Sequence, residues 1–270
     1  MKFKFPLSFI ITVLGIIIII LNVGYAKEDI DSIFVSIDKN LDQLITYQKD
    51  IEHIHPLLKI FHPLALVEDN YFYIFDFDSL SEKYNYIKRE PTSFPLPKRV
   101  RASFPLAGYN SKPACIVTQD IFNSPNGYVT IFHEFMHCNQ FLMCESKLKQ
   151  QLKIAREAEK RQDYSWELNH PFPYQDSLFV EYYSQFITAL ENNNDQAILK
   201  YRTKLKQYLD QIDFEYMCWA EWKEGFARLI ENRIKSFLGL EENHYWIHAD
   251  AMNHNGKMEV ITTCKAGLAG

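Results

Sequence analysis

Residues 133–137 of this 270-residue chain read HEFMH, a motif of two imidazoles, one carboxylate and two apolar side chains. Side chains four residues apart project from the same face of a helix, so His133 and His137 can direct ring nitrogens at one cation while Glu134 lies beside them. Mostly apolar residues precede the motif at 128–132, and polar groups are costly to bury among them unless they have a partner. A metal ion removes that cost. The spacing therefore predicts an active-site helix that carries a metal centre.

The third metal ligand has to come from another part of the chain, because a catalytic zinc ion normally has three protein ligands and one open position. Glu224 is the first candidate, since Gly225 follows it and leaves room for two helices to approach each other. Glu221 lies three residues earlier on the same helix face, and Glu181 is a carboxylate in an apolar setting. We therefore predict Glu224 as the third ligand, with Glu181 and Glu221 as the alternatives.

Two motifs together give the chain a family resemblance. HExxH at residues 133–137, followed by EGFA at residues 224–227 and a glutamate at 231, resembles the gluzincin zinc metallopeptidases, in particular the aminopeptidase N-like group. The resemblance implies that one zinc ion per chain is bound by the residues that match the family's ligands, His133, His137 and Glu224. It also implies that Glu134 is the general base. Residues 138–223 separate the two motifs and predict an inserted helical segment between the active-site helices.

The chemistry expected of such a site is the hydrolysis of a peptide or protein substrate. Zinc lowers the pKa of water and polarises the scissile carbonyl, while Glu134 takes a proton and passes it to the leaving amine. A further donor usually assists at the oxyanion, and the sequence offers four candidates without choosing among them: Tyr216, His244, Tyr245 and His248. The segment around Ile116 and Val117 is expected to form a strand that pairs with an extended peptide, as edge strands do.

Three functions are compatible with the motif. The first is an exported zinc-dependent peptidase. The second is a non-catalytic helical domain that acts as a binding or scaffold module, with a structural metal or none. The third is a zinc hydrolase of a non-peptide amide. Glu134 favours catalysis, because a structural zinc site normally uses four protein ligands and has no need of a carboxylate beside its first histidine.

The amino-terminal residues predict export. A basic start with Lys2 and Lys4, an apolar run at residues 5–23 and small residues before position 27 fit a signal peptide cleaved after Ala26. The same run is almost long enough to be an uncleaved membrane anchor, the one case in which we expect a membrane partner. Either way, residues 27–270 are expected to form one metallopeptidase-like domain in the periplasm or outside the cell. The formal net charge of −5 argues against a nucleic-acid partner.

Hydrophobic periodicity predicts an α+β fold in which helices dominate: a small sheet, then the active-site helix, then a helical bundle. Helices are expected from Asp29 to about His55, from Glu145 to Gln162, from Asp176 to about Asn192, and from Ala197 to about Phe237 with an interruption near Asp210–Asp213. Strands are expected at Tyr71–Phe75, once or twice between Pro91 and Asn126, and at Met258–Thr263. The active-site helix should start just after Gly127. His53 and His55 are two residues apart and are interpreted as turn or solvated residues.

The five cysteines predict neither a disulfide scaffold nor a zinc site. Their number is odd, and the chain contains no CxxC pair. Cys138 is interpreted as a small buried residue on the core side of its helix. Cys138 and Cys144 lie about 9 Å apart along a helix axis, at ~1.5 Å per residue, and should not be bridged.

Overall fold

The computed structural model describes residues 36–163 and 165–241, which form a helix-dominant α+β fold as predicted. The strands are β1 Leu64–Glu68, β2 Tyr71–Asp78, β3 Lys83–Pro91, β4 Arg101–Leu106 and β5 Lys112–Val117. The helices are α1 (residues 36–51), α2 Pro125–Gln140, α3 Ser146–Gln151, α4 Lys153–Lys160, α5 Trp166–Asn169, α6 Ser177–Glu191, α7 Asp195–Tyr208 and α8 Gln211–Phe237. A π-helical turn at Phe141–Glu145 joins α2 to α3.

The five strands form one mixed sheet in the order β3-β2-β1-β5-β4. Strand β1 pairs parallel with β5, and the other neighbours are antiparallel. Asp69 and Asn70 connect β1 to β2 with positive φ angles, the conformation that a tight two-residue hairpin turn requires.

The strand that the sequence predicted to pair with a peptide, around Ile116 and Val117, is β5, which lies between two other strands. The prediction that it pairs with a substrate is therefore wrong, because its backbone groups already serve its neighbours.

Strand β5 is buried on both faces of the sheet. Cys115 and Val117 belong to a core shared with the helices, whereas Ala114 and Ile116 face a smaller apolar cluster on the opposite side. This alternation follows from the two-residue period of a strand. Helix α2 packs against β4 and β5 and carries six apolar residues of the shared core. The sheet therefore provides a fixed support for the helix that carries the HExxH motif.

The start of α2 is determined by a cap and a close backbone approach. Ser124 accepts a hydrogen bond from the Gly127 amide, and Pro125 occupies the first turn, where no amide hydrogen is needed. The helix thus begins at Pro125, earlier than predicted. A Cβ on Gly127 would clash with the backbone carbonyl of Ile121, so a side chain is excluded at this position.

Helix α8 belongs to two hydrophobic cores. Its carboxyl-terminal part adds Ala227, Ile230 and Ile234 to the core formed with α1, α2 and the sheet. Its amino-terminal part packs with α4, α6 and α7 through Met217 and Trp219. At ~1.5 Å per residue its 27 residues extend about 40 Å, long enough to join the two cores. Glu224 lies between them.

The segment between α2 and α8 is helical, as predicted, but its first helix is not continuous. The chain is extended at Leu152, which separates α3 from α4. Glu145, the first residue of the predicted helix, is not exposed to solvent. It is buried and forms ion pairs with Lys149 at 2.7 Å and Lys223 at 3.1 Å. The predicted interruption near Asp210 is confirmed, since Asp210 is the amino-terminal cap of α8.

Other expectations concern single residues or the ends of the chain. His53 lies in an exposed turn and His55 caps the short helix Pro56–Lys59, both as predicted. Cys138 and Cys144 are free thiols, which confirms that they are not bridged.

Three predicted segments lie outside the described residues: the signal segment 1–26, its apolar run 5–23 and the strand expected at 258–263. Within residues 36–163 and 165–241, no helix is both long and apolar enough to cross a bilayer.

Candidate metal centre

Helices α2 and α8 bring three metal-ligating side chains together. The Nε2 atoms of His133 and His137 are 3.0 Å apart. Oε2 of Glu224 lies 3.5 Å from Nε2 of His133, and Oε1 of Glu224 lies 3.4 Å from Nε2 of His137. Donors at ~2.0–2.2 Å from a tetrahedral zinc ion are about 3.4 Å from one another. The three side chains therefore lie near the spacing that a zinc ion requires.

This donor set is distinctive within residues 36–163 and 165–241. No other group of three His, Cys, Asp or Glu side chains there has ligand atoms close enough to hold a metal ion. Both histidines are buried, whereas 39 % of the Glu224 side chain remains exposed. The histidines of the donor set are therefore buried, whereas solvent reaches it at Glu224.

The ring of His133 is oriented by a second carboxylate on α8. Its Nδ1 atom lies 2.9 Å from Oε2 of Glu231. Arg228 donates to the same oxygen at 2.8 Å, and Lys235 lies 3.0 Å from the other oxygen. Burial acts to raise the pKa of Glu231, but the close approach of His133 and the charge of Arg228 outweigh it and lower that pKa. An ionised carboxylate behind a histidine fixes the ring orientation, as in many metal sites.

The ring of His137 is oriented from within its own helix. Its Nδ1 atom lies 2.8 Å from Oε1 of Gln140, and the Gln140 amide nitrogen lies 3.1 Å from the carbonyl oxygens of Trp222 and Lys223 on α8. Both histidines thus present Nε2 to Glu224, and the Nδ1 atom of each lies within 2.9 Å of another side chain's oxygen.

The electrostatics of the cluster favour a positive charge between its members. Burial acts to lower the pKa of His133, yet hydrogen bonds to Glu224 and Glu231 raise it to about 9. Burial also acts to raise the pKa of Glu224, but His137 and His133 outweigh it and hold that pKa well below its usual range. The pKa of His137 is lowered by burial, and the neighbouring His133 charge lowers it further. A cation held among these three side chains satisfies two imidazole nitrogens and one carboxylate at once.

Glu134 is buried on α2 and is not one of the three converging ligands. Burial, and then the charge of Glu134, raise the pKa of the thiols of Cys115 and Cys138. Both thiols are therefore neutral near pH 7, and Cys138 is the small buried residue that the sequence indicated. Glu134 therefore follows His133 directly in the chain but lies outside the donor set.

The alternative third ligands do not reach the donor set. Glu221 is buried and forms a bidentate ion pair with Arg202 of α7, at 3.2 and 2.6 Å. Glu181 is exposed on α6. Only Glu224 of these three carboxylates meets the two histidines.

The candidate oxyanion donors divide into one residue that is placed and three that lie outside the described residues. The hydroxyl of Tyr216 is buried in the second core, 3.2 Å from the hydroxyl of Tyr174 and 3.2 Å from the carbonyl oxygen of Glu167. The structure therefore does not bring Tyr216 to the donor set. The remaining candidates, His244, Tyr245 and His248, fall in the part of the chain that is not described.

Two supporting residues carried no predicted role. Glu231 follows Glu224 by seven residues, which is two helical turns and the same face of α8. Gln140 follows His137 by three residues. Both spacings can be read from the sequence, but neither specifies which partner the side chain meets.

Comparison of the chain with protein-family models, with curated proteins and with solved structures gave no match.

Proposed function

We propose that this protein is an exported zinc-dependent peptidase in which His133, His137 and Glu224 bind the metal and Glu134 is the general base. The observation that carries the proposal is the convergence of three ligand atoms from two helices, all within 4.8 Å of one another. Export rests on the sequence of residues 1–26.

The arrangement supports catalysis rather than a structural metal. A structural zinc ion is normally enclosed by four protein ligands, whereas three side chains converge here and Glu224 is partly exposed. When bound, zinc supplies an acidified water and a polarised substrate carbonyl. Glu134 accepts the proton of the attacking water and delivers it to the leaving amine. Glu231 and Gln140 keep the imidazoles directed at the metal while this proton moves.

A peptide substrate is supported by the edge of the sheet. Strand β4 pairs with β5 on one side and has no strand on its other side among the described residues. It also packs against α2, the helix that carries the two histidines. An edge strand offers backbone donors and acceptors to an extended chain, and so β4 takes the role that the sequence assigned to β5.

Zinc content and peptide hydrolysis, measured on one preparation, test the proposal. The purified protein should contain about one zinc per chain and should cleave members of a mixed peptide library, with the products identified by mass spectrometry. Glu134→Gln should keep the zinc and lose hydrolysis by about 10² to 10⁴-fold, the range for loss of a general base. Glu181→Gln is the matched control, because Glu181 is an exposed carboxylate outside the donor set.

Other results of these measurements would contradict the proposal or support one of its alternatives. A protein that takes up no zinc contradicts the proposal. Zinc binding without cleavage of any peptide or amide supports the scaffold function instead. Cleavage of small amides alone supports the non-peptide hydrolase. A Glu134→Gln variant with unchanged hydrolysis contradicts the role of Glu134.

A further inference from the structure

Gln140 connects the two helices that carry the proposed ligands. It is the last residue of α2 and is buried. Its side chain makes three contacts: Oε1 lies 2.8 Å from Nδ1 of His137, and Nε2 lies 3.1 Å from each of two carbonyl oxygens on α8. Those carbonyls belong to Trp222 and Lys223, the two residues immediately before Glu224.

The chemistry of these contacts determines which ring nitrogen of His137 carries a proton. A backbone carbonyl can only accept a hydrogen bond, so the amide nitrogen of Gln140 must face α8. The amide oxygen then faces His137, and it too can only accept. Nδ1 of His137 therefore carries the hydrogen, and Nε2 keeps its lone pair on the side of Glu224. That is the tautomer in which Nε2 can bind a metal ion.

We propose that Gln140 is a positioning residue that couples the tautomer of His137 to the placement of Glu224. The proposal rests on the metal site proposed above and adds a specific device to it. The amide oxygen of Gln140 contacts the ring of His137, and its amide nitrogen contacts the helical turn immediately before Glu224. If α8 moves away, the amide loses the carbonyls that fix its orientation and can present its nitrogen to His137 instead.

The neighbouring residue provides a matched control. Asn139 is also a buried amide on α2, but its nitrogen donates to the carbonyl oxygen of Phe135 within the same helix. Replacing either amide with an apolar side chain removes a buried polar group from α2. Only the replacement of Gln140 removes contacts to His137 and α8.

The first test compares the zinc affinities of folded Gln140→Met and Asn139→Leu by competition with a chelator. Gln140→Met should bind zinc about 10- to 100-fold more weakly than the wild type, the usual effect of losing a partner behind a metal ligand. Asn139→Leu should stay within about threefold of the wild-type affinity even if it melts earlier. A Gln140→Met variant with wild-type affinity overturns the proposal, and so does equal weakening in both variants.

The second test needs no variant. Long-range ¹H–¹⁵N correlation spectra of metal-free wild-type protein report which nitrogen of each imidazole is protonated. His137 should carry its hydrogen on Nδ1, and a hydrogen on Nε2 alone overturns the proposal even if Gln140→Met does not fold. A wild-type protein that binds no zinc contradicts the proposed function, whereas the ring spectrum of the same sample decides the Gln140 contacts separately.

Discussion

Nδ1 of His133 lies 2.9 Å from Oε2 of Glu231, a carboxylate two helical turns beyond Glu224 on the same face of α8. One helix therefore supplies both a proposed metal ligand and the group that orients another ligand. A shift of α8 along its axis would displace both carboxylates from His133 together. The proposed metal centre consequently depends on how α8 packs against α2.

Glu231→Gln should weaken zinc binding by about 10- to 100-fold, because the amide lacks the negative charge that faces Nδ1 of His133. Glu221→Gln is the matched control, since Glu221 is also a buried, ion-paired carboxylate of α8 and does not touch His133. Both variants should lose stability, yet only the first should lose zinc affinity. Chelator competition and thermal melting of the two proteins decide this. Equal loss of affinity would show that general destabilisation of α8 is responsible.

Glu224→Gln should lose zinc more completely, because it removes the charge of a direct ligand. We expect affinity to fall by more than about 100-fold, beyond the range for an outer partner, and to be partly restored at high zinc concentration. Glu181→Gln should bind zinc as the wild type does. Zinc titration of both variants is the measurement, and loss of metal from the Glu181 variant alone would contradict the ligand assignment.

Gly127→Ala should destabilise the protein by about 1–3 kcal/mol, the usual effect of forcing extra volume into a packed site. The new methyl group would meet the backbone carbonyl of Ile121, which cannot rotate away. In Gly108→Ala the nearest atoms belong to the end of the flexible Glu90 side chain, so we expect a change within about 0.5 kcal/mol. Urea denaturation of both variants tests the difference. Similar values for the two glycines would show that the start of α2 is loosely packed.

His62 should make stability depend on pH in the mildly acidic range. Burial lowers its pKa to about 4, against the hydrogen bond with Asn139, which raises it, while Lys112 and Asp76 act in opposite directions. The unfolded chain therefore binds a proton more readily than the folded protein, since the ordinary pKa is 6.5. The stability associated with neutral His62 is complete above pH 6.5 and is lost as the pH falls towards 4. The loss is on the order of 3 kcal/mol.

Denaturation curves between pH 4 and pH 7 measure this effect. His62→Gln should be less stable at neutral pH but should show a shallower loss of stability on acidification. His53→Gln is the control, because His53 is exposed in a turn and its replacement should leave the slope unchanged. Identical slopes for wild type and His62→Gln would contradict the prediction.

The local part of the site was predictable from the sequence. The four-residue spacing of His133 and His137 places them on one helix face wherever that helix packs, because the helical repeat depends on neighbouring residues alone. Ser124 and Pro125 likewise mark the start of α2 through local capping. The order of a small sheet, the HExxH helix and a helical bundle also followed from hydrophobic periodicity along the chain.

Long-range pairing decided the rest. Residues around Ile116 and Val117 read as a strand, but their alternation does not say whether the strand is central or at an edge, and the fold puts β4 outside it. Glu145 lies in a highly charged segment, yet the approach of Lys223 from α8 allows it to be buried. A charge can be buried when a partner neutralises it, and that partner is 78 residues away in sequence.

The sequence by itself determined which side chains could bind a metal, since ligand chemistry and helical spacing are local properties. It favoured Glu224 as the third ligand, through Gly225 and the EGFA motif, but it kept Glu181 and Glu221 as alternatives because each is also a carboxylate on a predicted helix. In the tertiary structure, Glu221 forms an ion pair with Arg202, Glu181 is exposed and Glu224 lies beside the two histidines. The physical reason is that a residue's partner depends on how helices pack, and that packing is set by the two hydrophobic cores that α8 joins.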